Sequence, residues 1–191
     1  MNASLVQVQR QYVAKKALFS FLGNTFRIFD TTGGLQFYIK QKAFKLKEEI
    51  NVFADEQQSE KRLTIKARGI GDFSGTYDIV DATTGESLGA GQRSGFKSMF
   101  KDEWSILDAD GGAVGRVVET GGAMIFIRKF FKFIPQKYQV EYLGDVVGSI
   151  HQKFNPFQLA YDVDFSAASD FDPRLGVGMV VLLLAIEGAQ A

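Results

Sequence analysis

The sequence predicts a mainly β fold, a closed antiparallel barrel of about twelve strands around a central, buried C-terminal helix. Three observations carry that expectation. A pattern of aromatic residue, alternating apolar positions and Asp/Gly turn recurs between Phe26 and Ile150. Residues Leu175–Ile186 run without a charge and are apolar on every side if helical, so protein must enclose them on every side. Three prolines and no Gly/Ser tract leave no good domain boundary.

In chain order, residues 1–22 are the least patterned segment and are read as part of the same domain, with the barrel proper over 23–191. Phe26-Arg-Ile28-Phe-Asp30 leads through Thr31-Thr-Gly33-Gly34 into Leu35-Gln-Phe37-Tyr-Ile39. Ile50-Asn-Val52-Phe-Ala54 pairs with Leu63-Thr-Ile65-Lys-Ala67 across a polar stretch. Tyr77-Asp-Ile79-Val-Asp81 turns at Thr84-Gly85 into Ser87-Leu88-Gly89, and Trp104-Ser-Ile106-Leu-Asp108 turns at Asp110-Gly111-Gly112 into Ala113–Val118. Tyr138-Gln-Val140-Glu-Tyr142 turns at Gly144-Asp145 into Val146–Ile150. Asp and Gly supply the local hydrogen bonds and positive φ that tight reversals demand. Gly89, Gly115 and Gly148 recur in the second strands, where a missing side chain lets a sheet bend or another backbone approach. Ten to twelve strands and one apolar helix close most simply as a barrel, which also removes exposed edges. The helix is expected over about 173–187, with Asp172 as N-cap, Pro173 at its first position and Gly188 as its stop.

Composition excludes several functions. The chain has 191 residues, no cysteine and a single histidine, His151, so disulfide scaffolds, thiolate sites, cysteine nucleophiles and multi-histidine metal centres are out. Its 22 Lys+Arg balance 22 Asp+Glu, which removes the global case for nucleic-acid binding. A non-enzymatic role is expected. Arg10, Lys15 and Lys16 precede an apolar run too short for a signal peptide, so the expected location is cytoplasmic, with peripheral membrane contact, and the Asn2-Ala3-Ser4 sequon is then idle. The C-terminal run is too short to span a bilayer unaided.

The ordered units, with Val147-Gly148-Ser-Ile150-His-Gln-Lys153, then Tyr161-Asp-Val163-Asp-Phe165, then Asp172-Pro-Arg174-Leu175 and the apolar helix, resemble the LURP-one-related and phospholipid-scramblase branch of the tubby-like superfamily. The similarity spans roughly residues 24–188. It implies a twelve-stranded barrel around a C-terminal hydrophobic helix. It also implies phospholipid chemistry, since scramblases move lipids between leaflets with calcium at an acidic segment and tubby proteins bind phosphoinositides through basic residues. Where a scramblase carries that acidic cluster, this chain has Phe157-Gln158-Leu159-Ala160.

Two constellations could carry such chemistry. Asp162, Asp164, Asp170 and Asp172 offer oxygen ligands for Ca²⁺, but without the spacing of a calcium-binding loop. Asp162 and Asp164 share the wet face of a strand whose Tyr161, Val163 and Phe165 point inward, and Asp170 and Asp172 sit where a helix start wants acceptors. The second is basic. Gly121–Val140 contains no acid, while Arg128, Lys129, Lys132 and Lys137 alternate with aromatics, and Arg93, Lys97 and Lys101 surround Phe96 and Phe100. Cations beside aromatics suit an anionic lipid surface.

Three motifs read as structural. Gly85-Glu-Ser87-Leu-Gly89 spells a nucleophile elbow but joins two strands. The glycines around Gly69–Gly75 and Gly89–Gly95 miss the dinucleotide-binding spacing. His151 is a strand-end side chain. The expected function is therefore a phospholipid or phosphoinositide-binding domain without cofactor. The alternatives are calcium-dependent, scramblase-like lipid transport and a regulatory protein-interaction scaffold.

Overall fold

In the computed structural model, residues 9–17, 24–41, 49–69, 75–93, 103–121, 135–155 and 158–186 are described. They form one closed barrel of twelve antiparallel strands and a single α-helix. The strands are β1 (Gln11–Ala17), β2 (Asn24–Asp30), β3 (Leu35–Gln41), β4 (Glu49–Phe53), β5 (Lys61–Ala67) and β6 (Thr76–Asp81). They continue as β7 (Ser87–Arg93), β8 (Glu103–Leu107), β9 (Ala113–Thr120), β10 (Lys137–Tyr142), β11 (Asp145–Lys153) and β12 (Gln158–Asp164). The helix, α1, is Pro173–Ile186. Each strand pairs with its sequence neighbours, and β1 pairs with β12 from Gln11↔Asp164 to Ala17↔Gln158 to complete the ring. Among the described residues the β3–β4 seam is the thinnest, with the one ladder pair Tyr38↔Phe53.

All five expected hairpins are present, and they share one construction. The ladder slips between Ile28/Phe29, Val52/Phe53, Ile79/Val80, Ile106/Leu107 and Val140/Glu141, in each case near the end of the first strand. A bulge there increases local twist, which a closing sheet needs. In four of the five, an aspartate then ties the reversal. Asp30 accepts from the Thr32 and Gly34 amides, Asp81 from those of Thr83 and Thr84, and Asp108 from those of Asp110 and Gly112. Asp55 does the same for Ser59 and Glu60. The β10–β11 reversal departs from this, because Leu143 itself adopts φ +52 ahead of Gly144 at +95. Left-handed backbone costs a side-chain-bearing residue about 1–2 kcal/mol.

The recurrent glycines are close-approach sites. A Cβ on Gly89 would collide with the Leu107 carbonyl oxygen, one on Gly115 with that of Glu141, and one on Gly148 with that of Asp164. Each is the carbonyl of the next strand across, so the glycines let consecutive hairpins nest.

The barrel's interior is filled by inward faces such as Phe26, Ile28, Ile65, Ile79, Trp104, Val117 and Tyr138, together with α1. From Pro173 to Ala185 every helix residue except Arg174 is buried, and Leu183 is 5 % exposed. The helix leans on the β5–β7 wall. Gly91 makes room for Met179 and Leu182, and Gly178 seats against Ile79. Asp172 caps α1 as expected, its Oδ1 accepting from the Arg174 amide at 2.8 Å. The helix reaches Ile186, and the expected stop at Gly188 lies outside the described residues.

One strand was not anticipated. On β1, Tyr12, Ala14 and Lys16 point inward, and a lysine in the third inner position hides the alternation that marks the other strands. Lys16 is 6 % exposed and its ammonium lies 5.5 Å from the Phe26 ring centroid. Burial pulls its pKa below the ordinary lysine value.

Candidate functional site

An up-and-down barrel has two rims, and the connections alternate between them. At the near rim, where α1 begins, lie the turns 31–34, 54–60, 82–86, 108–112 and 143–144 and the connection 165–172. At the far rim the chain passes between strand ends through 18–23, 42–48, 68–75, 94–102, 121–136 and 154–157. Sorting the sequence by rim separates its charges. The near connections carry eight acidic residues and no lysine or arginine. The far connections carry nine lysines and arginines against three acids, and twelve of the protein's 18 phenylalanines. In sequence the connections are thus sorted by charge, while among the described residues Arg10, Lys61, Arg62 and Arg174 also stand at the near rim.

Of the basic candidates, Arg93 ends β7 and Lys137 begins β10, both at the far rim. Arg93 is half-buried and pairs across the ladder with Trp104, whereas Lys137 is exposed between Thr120 and His151. Arg128, Lys129, Lys132, Lys97 and Lys101 lie outside the described residues. The strands bounding their segments are consecutive: β7, β8, β9 and β10 stand side by side, so Arg93, Glu103, Thr120 and Lys137 mark four neighbouring positions on one rim. Both acid-poor stretches are tethered there. Beside them, Glu103, Arg116, Val118, Glu119, Thr120, Gln139 and Glu141 line a depression of about 270 Å³, with Arg116 Nε on Glu141 Oε2 at 2.6 Å.

The four aspartates are dispersed. Asp162 meets Lys153 Nζ at 2.7 Å on the outer face. Asp164 accepts from Gln11 Nε2 at 2.9 Å and the Ser166 amide at 2.8 Å. Burial works to raise the Asp164 pKa, but the hydrogen bonds from Ser166 and Gln11 outweigh it and hold the carboxyl below its ordinary value. Asp170 is exposed, and Asp172 is occupied with the helix cap and the Arg174 guanidinium. Among the described residues no three His, Asp or Glu side chains gather in a metal-ligand group. His151 lies within β11, exposed, two residues before the strand end, and Ser87 opens β7, so its motif links two strands.

Two arginines at the near rim were seen in the sequence without this role. Arg10 donates to the carbonyls of Ala168 at 2.7 Å and Phe171 at 3.0 Å, and also to those of Phe165 and Ser169, pinning the connection before α1. Arg174 gathers Asp81, Asp172 and Glu86 at 2.6, 2.6 and 3.1 Å. Arginines beside Asp-rich turns were the available signal, but nothing local in the sequence says that positions 10 and 168 meet.

The profile that describes LURP-one-related proteins matches residues 10–184, nearly the whole barrel and helix. The chain belongs to the LURP-one-related family. No curated protein sequence matches this chain. Among solved structures, a protein from Arabidopsis thaliana superposes with a TM-score of 0.51 at 10 % identity, covering 96 % of this chain and 93 % of its own. At that identity the likeness speaks for the fold alone. The LURP-one-related barrel and its helix are thus the expected ones. Among the described residues, no helix is long and apolar enough to cross a membrane.

Proposed function

We propose that this LURP-one-related domain is a non-enzymatic phospholipid-binding module that meets anionic headgroups with its far rim. The single observation that supports this reading is that the segments joining strands at the far ends carry most of the chain's phenylalanines and nine lysines and arginines in sequence, whereas the near-end segments carry acids and no lysine or arginine. Arg128, Lys129 and Lys132, with Arg93, Lys97, Lys101 and Lys137, supply phosphate partners. The adjoining phenylalanines supply apolar contact at the headgroup–acyl boundary. The acidic rim faces away, so an anionic bilayer orients the molecule as well as attracting it.

The test is co-sedimentation with phosphatidylcholine vesicles, with and without phosphatidylserine or a phosphoinositide. Binding is expected only with the anionic lipid and should weaken as salt rises. At about 1 kcal/mol per near-surface charge, replacing Arg128, Lys129 and Lys132 together by glutamine should weaken it roughly 100-fold. Equal sedimentation with neutral and anionic vesicles would refute the reading.

A further inference from the structure

We infer that the β10–β11 hairpin at the near rim is a docking surface for a basic protein segment carrying an aliphatic anchor. Among the described residues, three large hydrophobic side chains are exposed, and two of them, Leu143 at 66 % and Val146 at 51 %, stand on this one hairpin. Leu143 occupies a two-residue reversal at φ +52, where asparagine or glycine would fit the backbone without strain. Neither packing nor turn geometry calls for leucine here. Its aliphatic side chain is presented outward at the tip.

The surroundings name the occupant. The Leu143 amide donates to the Val114 carbonyl at 2.7 Å, which sets the tip beside the β8–β9 turn with Asp110. The Tyr142 ring meets the Phe171 ring edge-on at 5.3 Å, which sets it beside the connection carrying Asp170. Asp145 follows the tip directly. Asp110, Asp145 and Asp170 are all exposed, and no hydrogen bond or ion pair engages their side chains. The near rim is not without cations, since Arg10, Lys61, Arg62 and Arg174 stand there, but Arg10 and Arg174 are held by carbonyls and carboxylates of the same rim. An aliphatic knob with exposed carboxylates on its own and neighbouring turns is thus disfavoured by an anionic bilayer. It complements a segment that brings positive charge around an apolar side chain. This surface is independent of the lipid reading, being at the opposite end of the barrel.

The experiment is fluorescence anisotropy with labelled synthetic peptides of mixed Lys/Leu sequence, against Glu/Leu and Lys/Ser counterparts. The Lys/Leu peptide is expected to bind, and the counterparts are not. Leu143→Asn, which suits left-handed backbone, should weaken binding by about tenfold while the melting temperature holds or rises. Val146→Thr, an outward strand position, should weaken it in the same direction. Asp110→Asn with Asp145→Asn and Asp170→Asn should flatten its salt dependence. Equal binding of the Glu/Leu peptide, or binding indifferent to Leu143→Asn, would overturn the inference. So would a concentration-dependent dimer abolished by Leu143→Asn, which assigns the surface to a second copy. Loss of vesicle binding in that variant would assign it to lipid and overturn it equally.

Discussion

The Arg174 guanidinium, in the first turn of α1, donates to the Asp81 carboxylate at 2.6 Å across 93 positions of sequence. Asp81 is the last residue of β6 and points inward, 7 % exposed. The one polar residue of the buried helix segment is thereby anchored to the wall on which the helix leans, which fixes its depth and rotation in the barrel.

Replacing Asp81 by asparagine should therefore destabilise the fold. It weakens charge-assisted bonds from Arg174 and the Thr83 hydroxyl and amide, at a cost of about 1–3 kcal/mol. Thermal unfolding is the measurement, and an unchanged midpoint would deny the anchor its role.

Acid should loosen the same contact. Hydrogen bonds from the Thr83 hydroxyl, then its amide, and from Arg174 hold the Asp81 carboxyl far below the ordinary carboxylate range. A depressed folded-state pKa means stabilisation that is complete above the unfolded value, near pH 4, and is lost as pH falls below it. The melting temperature should thus drop on acidification below about pH 4, and the drop should be shallower in Asp81→Asn.

Leu183→Asp should unfold or aggregate the protein, because a carboxylate in that position loses its hydration without a partner. Leu183→Ala should cost about 2–5 kcal/mol. Trp104, fully buried and the sole tryptophan, reports both by its emission. Native emission in a soluble Leu183→Asp variant would contradict the enclosure of α1.

Gly115→Ala should cost about 1–3 kcal/mol, because its Cβ meets the Glu141 carbonyl oxygen and the Tyr142 backbone, neither of which can swing aside. Gly33→Ala is an informative contrast. Nothing lies within 4 Å of its Cβ, and only the positive φ of +92 resists the change. Urea midpoints of the two variants separate steric from conformational cost.

Arg10→Lys should raise proteolysis within 166–170 without unfolding the barrel, since an ammonium lacks the planar fork that reaches several carbonyls at once. Timed digestion would show it.

The barrel was legible because its code is local. Each hairpin announces itself through alternation and an Asp/Gly reversal within twenty or so residues, and α1 through unbroken apolarity with an Asp-Pro start. β1 was not legible, because buried Lys16 occupies a position where the alternation demands an apolar residue. The rim partition was hidden for a different reason. Charges far apart in sequence meet on one rim only because antiparallel strands return every second connection to the same end. The basic stretches at 93–101 and 128–137 were visible singly, and only the strand order β7-β8-β9-β10 shows that the strands bounding them are consecutive. The dispersal of Asp162, Asp164, Asp170 and Asp172 likewise depended on partners that spacing does not reveal, Lys153, Gln11 and Arg174 among them.

The pairing of β1 with β12 has a consequence for biosynthesis. Of these strands the ribosome delivers β1 first, and although β2 can pair with one of its edges at once, the other stays open until β12 emerges, and the helix that fills the interior emerges later still. The nascent domain therefore carries an unsealed, hollow sheet for nearly its entire translation, a state that invites chaperone capture and strand-to-strand clumping on polysomes. Premature termination that removes only the last elements should be as damaging as losing the domain outright.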